Sequence, residues 1–143
     1  MAQIAFDPEI ARRFLGVSKG AGGIVEFLGF ELTDASPGKM SGRFTVREEL
    51  LTGFGNMHGG VLSAFCDHLL GCVCYPAMQK GQWAATTEFK INLTSPVSRG
   101  EVSGEAEILV MTRTMAVVRI TMTNEGRVCA VAQGTCTIRD PRG

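Results

Sequence analysis

Within GNMHGGVLSAFCDHLLG, residues 55–71, four residues have types and a spacing that chemistry could use: His58, Gly59, Gly60 and Asp67. The run that follows His58 has the apolar spacing of a helix. A helix start holds unpaired backbone N–H groups and a partial positive charge, so it can hold an oxyanion or polarise a carbonyl. Gly59 and Gly60 carry no side chain to keep a substrate off that backbone. Asp67 lies mid-helix among apolar neighbours. The expectation is a buried carboxylate, either raised in pKa or left poorly solvated, fit to act as a general base or a nucleophile. Along one helix Gly59 and Asp67 stand about 12 Å apart, at ~1.5 Å rise per residue. One small carbonyl cannot touch both groups of one chain. If they act together, they come from two chains with antiparallel helices side by side, and the motif predicts a homodimer with two shared sites.

The elements that must position these residues can be read from periodicity. Asp7-Pro8 before EIARRFLG predicts a short capped helix that closes at Gly16. SKGAGG reads as a loop, and IVEFLGFELTDA as a strand or a short turn feeding one. Ser36-Pro37-Gly38 is a turn, and KMSGRFTV after it alternates as a half-buried strand. From His58, Val61, Leu62, Phe65, Leu69, Leu70 and Val73 fall on overlapping helical rows and cover most of the circumference, so the helix is expected to be buried on nearly all sides until Pro76 and Gly81 end it. Four strand patterns follow. In the first of them alternation groups Thr87 with Phe89, Ile91 and Leu93, and only one of Thr86 and Thr87 can face the helix. Asn124-Glu125-Gly126 reads as a hairpin turn. The order fits an α+β domain over residues 1–143, an antiparallel sheet curled around one long central helix.

Composition excludes several classes. Fourteen basic residues balance fourteen acidic ones and are scattered, so no positive field draws nucleic acid. The opening residues lack the order of a secretory signal, and Ser63, Asp67, His68 and Pro76 interrupt the longest apolar stretch. A cytoplasmic protein without a membrane span is the expectation. Five cysteines with no C-x-x-C pair and two unsuitably spaced histidines read as reduced, packed thiols, with no metal site.

HGGVLSAFCD resembles the signature of the hotdog-fold thioesterases, specifically the PaaI-like acyl-CoA thioesterases, in which His-Gly-Gly opens the long helix and an acid follows nine positions after the His. FLGFEL, PGKMSGRFTV, TTEFKINLTSPV and the final strands extend the resemblance over nearly the whole chain. It implies a hotdog fold, hydrolysis of an acyl- or aryl-CoA thioester, and a homodimer or dimer of dimers. No cofactor is implied beyond the coenzyme A of the substrate. By the same resemblance the Gly59 N–H would polarise the carbonyl. Asp67 from the other subunit would attack it or activate water, and His58 would shape the helix start. Counting back from Ser95-Pro96, the Ser or Thr that helps position the water matches Thr86, with Thr87 beside it.

Many relatives have an Asn six residues before the His, where this chain has Thr52. Asn56 either takes that place or caps the helix. Gly60, as the second glycine, belongs to the substrate-facing backbone, and Lys90, Arg99 and Arg113 are candidate cations for the coenzyme A phosphates. Three competing readings are a non-catalytic acyl-CoA-binding hotdog protein, which Thr52 would allow, a hotdog hydratase or dehydratase, which would need a different acid/base pair, and a purely structural oligomer, which would not explain the glycine pair and Asp67 at this spacing.

Overall fold

The computed structural model describes residues 3–17 and 20–141. Helix α1 (Pro8–Val17) opens as expected, with Asp7 Oδ1 accepting from the N–H groups of Glu9 and Ile10 at 2.8 and 3.1 Å. Where a strand or turn was expected, residues Gly23–Leu28 form a short helix, α2, closed by Gly29 in the left-handed region. Strands β1 (Glu31–Ser36) and β2 (Lys39–Thr45) follow as a hairpin. Then come α3 (Gly59–Cys72), β3 (Trp83–Leu93), β4 (Glu101–Met111), β5 (Met115–Asn124) and β6 (Arg127–Arg139). All pairings are antiparallel, in the order β1-β2-β4-β5-β6-β3, so β3 is an edge. The architecture is the expected hotdog fold, one curled sheet around one long helix.

The helix is buried along one broad face and open along the row of Gly60 and Asp67, which narrows the expectation of burial on nearly all sides. Leu62, Phe65, Cys66, Leu69, Leu70 and Val73 recur at i, i+3, i+4, i+7, i+8 and i+11 and are buried against the sheet. Phe65 meets Phe30 and Phe44 at ring-centroid distances of 5.0 Å each, and each such buried side chain contributes about 1.5–3 kcal/mol. The sheet receives the helix over glycines. A Cβ on Gly104 would stand 2.6 Å from Leu69 Cδ1, and Gly42, paired across from it, lies beneath the same leucine. Gly134 lies beneath Leu70.

Two bulges revise the simple alternation. The register of β3 against β6 shifts between Thr86 and Glu88, so Thr86, not Thr87, shares the inward face with Phe89, Ile91 and Leu93. A second shift, between Ile108 and Val110, turns Val110 out to solvent. The Asn124–Gly126 hairpin forms as expected, with Glu125 and Gly126 both at positive φ. The helix ends at Cys72, ahead of Pro76, which sits in a 3-10 turn (Tyr75–Ala77). All five cysteines are free, and four of them are buried.

Candidate active site

The helix start is built by His58. Its Nδ1 accepts the Gly60 N–H at 2.8 Å, and its carbonyl accepts the Val61 N–H at 2.9 Å. The cap is therefore His58, not Asn56. Asn56 instead closes a tight loop with Thr52, accepting the Thr52 N–H at 2.7 Å, while the Thr52 hydroxyl accepts from the Phe54 N–H at 3.3 Å. Thr52 is thus committed to its own loop. Gly60 is needed for the cap, since a Cβ there would stand 2.8 Å from His58 Nδ1. Among the described residues nothing accepts from the Gly59 N–H, so of the first three helical N–H groups it alone remains free. Ser63 bonds back to the Gly59 carbonyl at 2.8 Å.

Asp67 is exposed, which corrects the expectation of a buried carboxylate. It lies on the helix face opposite the apolar stripe, in a row with Gly60, Ala64 and Gly71. Its charge reaches the helix's C-terminal half. Cys66 and Cys72 are each pushed up to about 12, first by burial and then by Asp67. His68, stacked on Phe30 at 5.7 Å with Cys72 Sγ 3.7 Å from its Nδ1, is pushed down by burial, which Asp67 partly offsets.

Thr86 belongs to the same end. Its hydroxyl lies 3.9 Å from Cys136 Sγ, which also feels the Asp67 charge. Cys136 and Cys74 both donate to the Leu70 carbonyl, at 3.4 and 3.5 Å. The Cys74 N–H, which would ordinarily meet that carbonyl, goes to Gly71 instead, so the two thiols satisfy an acceptor freed by the helix end. The neighbouring Cys74 thiol pushes the Cys136 thiol down, with Thr86 adding to this against burial. Nothing in the sequence pattern linked Cys136 to Thr86, because the contact spans two strands and a helix terminus. Thr87 is exposed and donates to the Thr135 carbonyl at 3.1 Å.

The site residues therefore fall into two separate groups on the α3–β3 face, one at the start of α3 and one along its second half. Gly59 lies against Leu93, and Asp67 lies toward Thr86. The candidate cations do not gather around either group. Lys90 shares the outer sheet face with Gln133, Arg99 pairs with Glu125 at 3.2 Å, and Arg113 pairs with Asp140 at 3.2 Å. Arg113 borders the larger cavity, about 680 Å³ between Ile4, Gly38, Met78 and Val110, whose lining includes none of Gly59, Asp67 and Thr86. A smaller cavity, about 240 Å³, opens beside Gly59 under Leu93.

Residues 54–131 match the family model described as Thioesterase superfamily. Human acyl-coenzyme A thioesterase 13 is 28% identical over 109 residues, 74% of this chain and 76% of that protein. Among solved structures, a thioesterase from Haemophilus influenzae superposes with a TM-score of 0.81 at 22% identity, covering 98% of this chain and 96% of that one. The E. coli PaaI protein from the phenylacetic acid degradation operon superposes with a TM-score of 0.83 at 18% identity, over 93% and 96% of the two chains. The chain belongs to the thioesterase superfamily, and it is a hydrolase with the PaaI-like hotdog architecture.

Proposed function

We propose that the protein hydrolyses a small acyl- or aryl-CoA thioester to the free acid and coenzyme A at sites shared between two copies of the chain. The observation that carries this reading is the placement of the two chemical groups. A free Gly59 N–H stands at the first residue of α3 and an exposed Asp67 eight residues further along it, beside an edge strand. Two further features support it. Strand β3 is 11 residues long, has no fully buried residue, and has an outer edge without a partner among the described residues. Gly60, Ala64 and Gly71 flank Asp67 with small side chains that let a second helix lie close.

A two-fold related copy, with β3 beside β3 and α3 antiparallel to α3, brings the partner's Asp67 to the free Gly59 N–H. That N–H polarises the thioester carbonyl and stabilises the oxyanion as it forms. The carboxylate either attacks the carbonyl carbon, giving an anhydride that water then hydrolyses to free the acid, or takes the proton of the water that attacks; on either course the C–S bond breaks and the thiolate of coenzyme A leaves. Thr86, on the Asp67 side, holds the water or the carboxylate in place. The protein acts in the cytoplasm and requires no metal or resident cofactor.

Thioester absorbance followed across acyl- and aryl-CoAs tests this reading. Asp67→Asn is expected to lower kcat by about 10²–10⁴-fold with folding intact, and Gly59→Val to be inactive as well. Co-refolded in equal amounts, the two variants are expected to recover about a quarter of wild-type activity, since half of the dimers are mixed and each mixed dimer has one intact site. No recovery in mixed dimers would refute shared sites, and an Asp67→Asn variant with normal turnover would refute the role of the carboxylate.

A further inference from the structure

A threonine hydroxyl has one proton to donate and two lone pairs to accept with, so which of them meets a substrate depends on what lies behind it. Behind Thr86 lies Cys136, its partner across the β3–β6 register, with Oγ1 and Sγ 3.9 Å apart. Cys136 is fully buried, so no solvent competes for its sulfur. The thiol proton is already committed, since Sγ donates to the Leu70 carbonyl at 3.4 Å. That carbonyl is free because α3 stops at Cys72 and the Cys74 N–H turns to Gly71. With its proton given away, the sulfur can only accept, and the Thr86 hydroxyl is the donor. Donation therefore runs from the Thr86 O–H to the Cys136 sulfur, and from the Cys136 S–H to the Leu70 carbonyl. Thr86 keeps its lone pairs for whatever stands in front of it. Thr87 cannot take this role, being exposed and donating to the Thr135 carbonyl at 3.1 Å.

Resting on the thioesterase reading above, we infer that Cys136 is a positioning residue of the reaction, which fixes the Thr86 hydroxyl as a hydrogen-bond acceptor with the end of α3 as its anchor. An acceptor in that place holds a water by one hydrogen and leaves the other for a carboxylate to take. Without the thiol the Thr86 proton is free to turn outward, toward the carboxylate, and the water loses its orientation. Cys74 supplies the internal control. It is the same residue type, equally buried, and donates to the same Leu70 carbonyl at 3.5 Å, but among the described residues it makes no hydrogen bond to Thr86.

The experiment measures kcat and KM on whichever of butyryl-, octanoyl- and phenylacetyl-CoA the wild type turns over fastest. The variants are Cys136→Ala, Cys136→Val, Cys74→Ala, Thr86→Val and the double variants that combine Thr86→Val with each Cys136 change, with thermal melts alongside. Cys136→Val fills the space without a polar group, so it separates the lost hydrogen bond from the lost packing. Both Cys136 variants are expected to lower kcat about tenfold, the effect of one hydrogen bond, with KM little changed. Cys74→Ala is expected to melt lower by as much as Cys136→Ala while keeping kcat within about twofold of the wild type. In the Thr86→Val background, where no hydroxyl remains to be oriented, the Cys136 changes are expected to alter kcat by no more than about twofold. A Cys74→Ala variant that loses as much kcat as Cys136→Ala, or a Cys136 effect that persists undiminished beside Thr86→Val, would reduce the thiol to packing and overturn the inference while leaving the thioesterase reading intact. A wild type inactive on every thioester would overturn that reading, and this inference with it.

Discussion

Gly134→Ala tests how closely the helix lies on the sheet. Gly134 sits in β6, opposite Phe89 and directly beneath Leu70. A Cβ there would collide with Leu70 Cδ1 and stand 2.6 Å from Phe89 Cβ and 2.7 Å from the Glu88 carbonyl oxygen. The leucine tip can swing aside. The other two atoms are fixed to the backbone of β3 and move only if the strand moves. Overpacking of this kind costs about 1–3 kcal/mol, and two immovable contacts place Gly134→Ala at the upper end. At about 3–4 °C per kcal/mol for a chain of this size, Tm should fall by about 10 °C. The strand would shift at the Thr86–Glu88 bulge, so turnover should drop well below the melting temperature. Gly53→Ala is the control, since nothing lies within 4 Å of its Cβ position and its φ is not positive. Alanine at a compatible backbone position stabilises by about 0.4–1 kcal/mol by restricting the unfolded chain, so this variant should melt no lower than the wild type. Thermal melts at one fixed protein concentration decide the matter. A Gly134→Ala protein as stable as the wild type, or a Gly53→Ala protein equally damaged, would show that the close approach does not govern the response.

His58→Ala removes the helix cap and should cost about 1 kcal/mol, while His58→Asn, which restores a capping oxygen, should recover that stability in the same melts. The thiols set an alkaline limit. Cys66 and Cys72 keep their protons to about 12 in the fold against 9.0 for an unperturbed thiol, so between these values the unfolded chain binds fewer protons and stability falls as pH rises. Denaturant midpoints measured from pH 8 to 11 should decline, and less so in Cys72→Ala. At the acid end His68 acts in the opposite sense. Its pKa is lowered in the fold, so the stability it contributes is present above 6.5 and is lost as pH falls through the folded value, a loss that His68→Gln should reduce.

The fold was largely legible because its signals are local. The Asp7-Pro8 cap, the Asn124–Gly126 turn and the alternation of Ala116, Val118, Ile120 and Met122 each follow from a few adjacent residues. The misreadings came where the outcome depends on contacts distant in sequence. GIVEFL has strand-like composition, and it forms α2 with Val25 and Leu28 against the core and Ile24 and Phe27 outside. Alternation placed Thr87 with Phe89, but one bulged residue in β3 reversed the pair, and no residue type announces a bulge. Of the candidate site, the helix start and the acid were readable from spacing, whereas their surroundings were not. Apolar residues around most of the helix suggested that Asp67 would be buried by the sheet. The sheet covers the Leu62–Val73 stripe, and Asp67 stands exposed on the opposite face.

The paired glycines show why the motif needs both. They look equivalent in sequence, two residues without side chains at the mouth of a site, yet the structure gives them different work. Gly60 leaves room for the His58 ring, and the ring takes the Gly60 N–H; the His58 carbonyl takes the Val61 N–H. Two of the three leading donors are thereby occupied within the turn, and the Gly59 N–H is left as a single donor with one direction. A helix end with several free donors would spread its field over any anion nearby. The histidine cap thus decides which N–H of the first turn is left without a partner.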